Sequence, residues 1–177
     1  MFVACSGDGA RGVGQPSGNA VVYSGSSYPL AQGLADVRND TTYHSNVDFT
    51  IIDGYFTSFT DTTNGFPVVK WLANESQVEL DLELYSPGGG FLPGTFGYTP
   101  LTADDPSLIG ASFFNASYAG FDTNGDDEVS EAEEIDVVGG SVTVSGSAPN
   151  YQLAFNLQLA NGLFATGSYA GEFIVDD

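Results

Sequence analysis

Val78-Glu79-Leu80-Asp81-Leu82-Glu83-Leu84-Tyr85 decides the fold. Apolar residues take every second position and acids fill the gaps up to Tyr85. One face is oily and the other acidic only if successive side chains point to opposite sides of a strand. On a helix the same apolar residues would spread around the cylinder. The stretch therefore reads as a half-buried antiparallel strand with a wet acidic outer face. Tyr151, Leu153, Phe155, Leu157 and Leu159 repeat the pattern, alternating with Gln152, Ala154, Asn156 and Gln158. Asn161-Gly162 follows, the pair that supplies positive φ to a type I′ hairpin. Leu163 to Tyr169 is then expected to return antiparallel, with Glu172 to Asp176 as a last, separate strand.

Working outward, weaker alternation marks Ala20 to Tyr23, Tyr28 to Ala35, Tyr43 to Ile52, Tyr55 to Phe59, Val68 to Leu72, Thr95 to Tyr98, Ala111 to Tyr118 and Ser141 to Ser145 as strands. Clusters of Gly, Pro, Asn and Ser between them supply turns. The expected fold is all-β: an antiparallel β-sandwich or flattened barrel of about 8–10 strands. A parallel sheet is excluded at this stage, because no crossover helix is there to cover it.

The chain has 177 residues, enough for one domain with a real core, assigned to residues 19–177. Its 23 Asp and Glu face 3 Lys and Arg, for a formal net charge of −20. Only Arg11, Arg38 and Lys70 could meet a phosphate backbone, so nucleic acid is excluded as a partner, and anionic membrane surfaces would repel the chain.

The single cysteine excludes an intramolecular disulfide and any cysteine-rich metal site. Cys5 follows Phe2-Val3-Ala4 and precedes Ser6-Gly7-Asp8-Gly9, the order of a bacterial lipoprotein cleavage box, in which the Cys is lipidated. Residues 1–18 thus read as a lipobox-like start with a flexible Gly/Ser/Pro tether. The expected address is the bacterial outer membrane or cell surface, with membrane contact only through the lipid anchor.

Three further segments carry a resemblance: Tyr23-Ser24-Gly25-Ser26-Ser27-Tyr28-Pro29-Leu30, Gly140-Ser141-Val142-Thr143-Val144 and Thr166-Gly167-Ser168-Tyr169-Ala170-Gly171. With these the body resembles the all-β surface lipoproteins common in Bacteroidetes. The resemblance implies a secreted or surface domain and brings no catalytic residues.

One segment carries chemistry. Asp122-Thr123-Asn124-Gly125-Asp126-Asp127-Glu128-Val129-Ser130-Glu131-Ala132-Glu133 fits the twelve-position EF-hand calcium loop. Oxygen ligands for Ca2+ fall at Asp122, Asn124 and Asp126. The Glu128 carbonyl, Ser130 and the Glu133 carboxylate complete the set. Position six, where the loop wants Gly, holds Asp127. Ser130 and Glu133 also form a capping-box pair, predicting a short helical turn after the loop. The flanking pattern is strand, so the loop is expected between strands and not between helices.

Other chemistries find less material. His44 is the only imidazole and alternation turns it away from Val47 and Phe49, toward solvent, so a Ser-His-Asp triad is not expected. Asp48, Glu79, Asp81 and Glu83 read as a solvated acidic face before they read as a glycosidase pair. The chain is therefore expected to be non-catalytic: a calcium-stabilised surface domain with a structural, adhesive or assembly role. One alternative is a carbohydrate- or small-ligand-binding module stacking sugars on Trp71, Tyr85 and Tyr98, with Phe59 and Phe66 nearby. Another is a subunit of an extracellular filament that exchanges a strand with copies of itself.

Overall fold

The computed structural model describes residues 18–38, 41–63 and 65–176; Cys5 and the tether through residue 17 lie outside the described residues. Twelve strands follow one another: β1 Ala20–Tyr23, β2 Ser26–Pro29, β3 Gln32–Arg38, β4 His44–Ile52, β5 Tyr55–Asp61, β6 Val68–Asn74, β7 Val78–Pro87, β8 Thr95–Tyr98, β9 Phe113–Phe121, β10 Glu134–Ser147, β11 Asn150–Leu159 and β12 Phe164–Asp176. Two 3₁₀ turns, Pro106–Leu108 and Glu131–Glu133, complete the regular structure among the described residues. The second is the short helical turn expected after the acidic loop.

The all-β expectation holds, and the pairings close on themselves. β3 pairs β4, β4 pairs β7, β7 pairs β9, β9 pairs β10, β10 pairs β11, β11 pairs β12, and β12 returns to β3. The β1–β2 hairpin adds to β12, and β8 lies between β9 and β10. β5 and β6 pair only with each other, as a separate two-stranded sheet.

The inner face of the ring is the core. Phe49 and Ile51 from β4, Leu80 and Leu82 from β7, and Leu153 and Leu157 from β11 are each at most 2% exposed. These are the alternating apolar positions of the sequence, and each buried Leu, Ile or Phe contributes about 1.5–3 kcal/mol over leaving it in water.

Several expectations need correction. Two pairings are parallel, β3 with β12 and β8 with β9. Neither needs a crossover helix: residues 99–112 loop β8 back to β9, and β3 and β12 come from opposite ends of the chain. Tyr28 to Ala35 is two strands. Pro29 has no N–H to continue a ladder, and the chain turns a corner at Leu30, whose side chain enters the core at 4% exposure. The expected Leu163–Tyr169 and Glu172–Asp176 strands are one long strand, Phe164–Asp176, which pairs β11 through Glu172 and then runs beside β3 from Phe173. The Asn161-Gly162 turn is not type I′. Only Gly162 has positive φ (84°), Gly162 N–H donates to the Leu159 carbonyl, and Leu159 N–H donates to the Leu163 carbonyl, a three-residue loop with glycine in the left-handed position. The primed geometry occurs at Ser24-Gly25, with φ of 49° and 83°.

β9 carries an extra residue against β7. Asp81 faces Tyr118 while Glu83 faces Asn115, and Ala116 at φ 42° takes up the slack. The bulge shifts the alternation by one, so that both Phe114 and Ala119 point inward.

Gly33 sits at the closure of the ring. A Cβ there would lie 2.4 Å from the Phe173 ring, which is itself held edge-on by Phe49, Tyr151 and Tyr169 at 5.1–5.7 Å. Gly33→Ala is therefore expected to destabilise the fold by about 1–3 kcal/mol in urea denaturation. Gly97→Ala, which meets nothing within 4 Å, should stay within about 0.5 kcal/mol.

Candidate functional site

The acidic loop leaves β9 at Phe121 and enters β10 at Glu134, so it joins two barrel strands as expected. Its backbone is wound around its own carboxylates. Asp122 Oδ1 accepts from Asn124 and Gly125 N–H, and Asp122 Oδ2 accepts from Asp127 N–H at 2.9 Å. Asn124 Oδ1 accepts from Asp126 N–H, and Asp126 Oδ1 from Glu128 N–H. Asp127, at the glycine position, adopts φ 60°, a left-handed conformation costing about 1 kcal/mol for a side-chain-bearing residue. Ser130 and Glu133 form the expected capping box. Glu133 also accepts from Thr123 N–H and Oγ1, and these hydrogen bonds hold its carboxyl down to about 2.

Asp122, Asp126 and Glu133 each offer a carboxylate oxygen within 4.8 Å of the others, close enough to share one ion. Asn124, the Glu128 backbone and Ser130 belong to the same loop, the last bonded through Oγ to Glu133 Oε2 at 2.9 Å. Val129 packs on Gly120, where a Cβ would come within 2.2 Å of Cγ1. The loop is also fastened sideways to the β6–β7 turn. Ser76 N–H donates to the Asp127 carbonyl and Asp122 N–H to the Gln77 carbonyl, each at 2.9 Å, and Gln77 Nε2 donates to Asp127 Oδ1. From the other side Asp53 Oδ1 accepts from Ser76 Oγ, Gln77 N–H and Val78 N–H.

The β5–β6 hairpin grows out of this joint and folds over the outer face of β3, β4 and β7. That face was expected to be wet; the hairpin covers part of it. Trp71 of β6 stands in the resulting cleft with a lobe on either side. The smaller lobe, about 250 Å³, runs past Phe56 and Glu79 to Asp127, Glu128 and Val129 of the acidic loop. The larger, about 660 Å³, is lined by Leu34, Asp36, Arg38, Asp48, Lys70 and Asp81 among others.

Burial shifts these acids. Asp48 is 7% exposed, and loss of water pushes its carboxyl up to about 7 against the opposing pull of Arg38, with Asp81, Glu83 and Asp36 adding to the rise. Asp81 is pushed up to about 6, again chiefly by burial, although Thr50 Oγ1 donates to it at 3.1 Å. Glu79 also rises through burial; the Tyr118 hydroxyl donates to it at 2.5 Å, and the Tyr118 phenol is raised in turn. Arg38 reaches Asp36 through Nε at 2.9 Å and Asp48 through Nη1 at 3.0 Å.

The three expected stacking residues do not form one platform. Trp71 lies in the cleft, whereas Tyr85 is 5% exposed on β7, stacked on Phe113 at 4.9 Å with its hydroxyl on Glu83. Tyr98 packs edge-on against Phe114 at 5.6 Å, and with Tyr85 borders a shallow depression elsewhere. Phe59 and Phe66 are exposed on the hairpin. His44 lies on the outer side of β4 as alternation requires, yet it is 4% exposed and not in solvent. The loop after β8 covers it: Nε2 donates to the Leu108 carbonyl at 3.0 Å and the ring meets Phe113 edge-on. The sequence pattern reads Asp48 and Asp81 as a solvated face first and a glycosidase pair second, and not as the floor of a covered cleft, because nothing in β5–β6 says which wall it covers.

A raised carboxyl pKa has a sign. Folded Asp48 holds its proton more tightly than in the unfolded chain, so its contribution to stability is full below about pH 4 and is lost as pH rises through about 7. The melting temperature is expected to fall between pH 5 and 7.5, with a shallower slope in Asp48→Asn and in Asp81→Asn than in the parent; equal slopes would contradict the assignment. No family model, curated protein or solved structure matches the chain.

Proposed function

We propose that the chain is a non-catalytic, calcium-stabilised binding domain of an exported surface protein, with the cleft under β5–β6 as its ligand site. The observation that carries this reading is the shared joint at Ser76-Gln77. The same two residues hydrogen-bond to the candidate calcium loop and to Asp53 at the root of the hairpin. An ion on Asp122, Asp126 and Glu133 would stiffen the loop, and through it the wall of the cleft. A loop of this type without its glycine suits the weak affinities, ~10⁻⁴–10⁻³ M, of extracellular modules. The lipobox-like sequence at Cys5 supports the same address and would supply a membrane anchor.

Two observations favour binding over the other roles considered. A hydrolytic carboxylate pair needs its two pKa values pushed apart, and here Asp48 and Asp81 both move up. Strand exchange needs an open edge; every ring strand has a ring neighbour on each side, which leaves it only the outer edges of the short β2 and of the β5–β6 hairpin among the described residues.

Calcium should bind with a single saturable heat in calorimetry. At free calcium ten times the dissociation constant it adds about 1.4 kcal/mol, or roughly 3–6 °C in melting temperature for a chain of this size. Chelation should reverse the gain and Glu133→Gln should abolish it. Melting that ignores both calcium and chelator would refute the metal site.

A further inference from the structure

Two buried polar atoms at the cleft have no hydrogen-bond partner among the described residues: Oδ1, an acceptor, of Asp48 in the larger lobe, and Nε1, a donor, of Trp71, which borders both lobes. Asp48 belongs to a row of like charges. Asp36 on β3 stands directly opposite Asp48 on β4, and Asp48 directly opposite Glu83 on β7. Like charges facing each other across a sheet are destabilising, and a buried polar atom left without a partner has lost its water for nothing in return.

The chain does little to neutralise the row. Arg11, Arg38 and Lys70 are its only basic residues. Arg38 is shared between Asp36 and Asp48, and the Lys70 ammonium is engaged by Asp61 at the tip of the hairpin. The lobe therefore keeps more carboxylate than cation, beneath the only tryptophan. That combination wants a ligand with three properties: N–H donors and positive charge for Asp48 and its neighbours, an oxygen acceptor for the indole N–H, and a body that lies against an aromatic ring.

From this geometry we infer that the larger lobe binds a saccharide bearing a primary ammonium, an amino sugar in its cationic form, with the ammonium on the Asp36–Asp48–Asp81 wall and a ring oxygen or hydroxyl on Trp71 Nε1. The inference rests on the binding reading above and adds the charge of the ligand. A neutral sugar could hydrogen-bond to Asp48 Oδ1 but would add no positive charge to a row of acids that Arg38 only partly offsets. The upward pKa shifts of Asp48 and Asp81 point the same way, since a cation at hydrogen-bond distance relieves both. Both unpaired atoms are buried, but the hairpin that carries Trp71 shares no backbone ladder with the ring, so it can shift without breaking one.

Trp71 is the sole indole, so its fluorescence reports on this cleft alone. The calcium-loaded full chain is titrated at pH 7 with a glucosamine trisaccharide and, separately, with its fully N-acetylated counterpart. The expected result is a saturable change in emission with the cationic trimer and at least tenfold weaker binding of the acetylated one. Asp48→Asn and Asp81→Asn should each weaken the cationic trimer at least tenfold, while Asp136→Asn, an exposed acid outside the cleft, should leave it unchanged. Tight binding of the acetylated trimer with no gain from charge would overturn the inference while leaving the binding reading standing. Equal affinity in Asp48→Asn, Asp81→Asn and Asp136→Asn would mean diffuse attraction to a −20 chain and would also overturn it. Silence of Trp71 toward both trimers would remove the cleft as a ligand site altogether, a result separate from the calcium-dependent melting shift.

Discussion

Four residue pairs close the barrel: Gly33, Leu34, Ala35 and Asp36 of β3 beside Phe173, Ile174, Val175 and Asp176 of β12. Because a strand has period two, that register sets the direction of every side chain on β3, and a slip of one residue would turn Asp36 inward and Ala35 out. Phe173 filling the space over Gly33 is what forbids the slip. With β3 locked, the antiparallel ladders to β4 and β7 carry the same level across the wall, so that Asp36, Asp48 and Glu83 form one row and Leu34, Thr50 and Asp81 the next. The composition of the cleft floor follows from how the ring closes.

That floor is costly in a way the rest of the surface is not. Most of the acids sit in water, where repulsion is screened within about 10 Å. Under the hairpin the screening is weaker, and loss of solvent dominates the shifts of Asp48, Asp81 and Glu79. Arg38 offsets part of this through two carboxylates at once. Arg38 and Lys70, the two basic residues in the described part of the chain, both line this one lobe. Among the described residues only Arg38 is turned on the floor's acids, the Lys70 ammonium being held by Asp61, and Asp48 Oδ1 still has no partner, so the electrostatic strain is concentrated at one place.

Much of this was legible beforehand, and the exceptions have a common cause. Alternation at Val78–Tyr85 and Tyr151–Leu159 found the inner face because period two is a local property of the chain. The acidic loop, its left-handed sixth residue and its capping box were legible for the same reason: each depends on residues within twelve positions of one another. What alternation cannot tell is what covers an outer face. His44 and Asp48 were assigned to the correct side of β4, yet both are buried because segments distant in sequence lie over them. Trp71 was singled out for its ring, but its grouping with Tyr85 and Tyr98 failed because β6 belongs to a different sheet. The bulge at Ala116 had no signal, since alanine is not a residue that advertises positive φ.

The position of the acidic loop now has a physical reason beyond its own chemistry. A two-stranded hairpin without a ladder to the rest of the molecule is marginal alone, and β5–β6 leaves Tyr55, Phe59, Val68 and Leu72 exposed, so little apolar burial holds it down. Its placement depends on its two ends. At the first, Gly54 passes so close to Asn74 that a Cβ would fall 2.0 Å from the Asn74 carbonyl oxygen, and Phe56 N–H donates to Gln32 Oε1. At the second, Ser76 and Gln77 are gripped between Asp53 and the loop through Asp122 and Asp127. The hydrogen bonds of that grip come from loop residues whose own conformation is fixed by Asp122, the first position of the candidate ion site. Order in the loop and order at the root of the hairpin are thus tied through the same hydrogen bonds, which links the three loop carboxylates to the roof over the cleft floor.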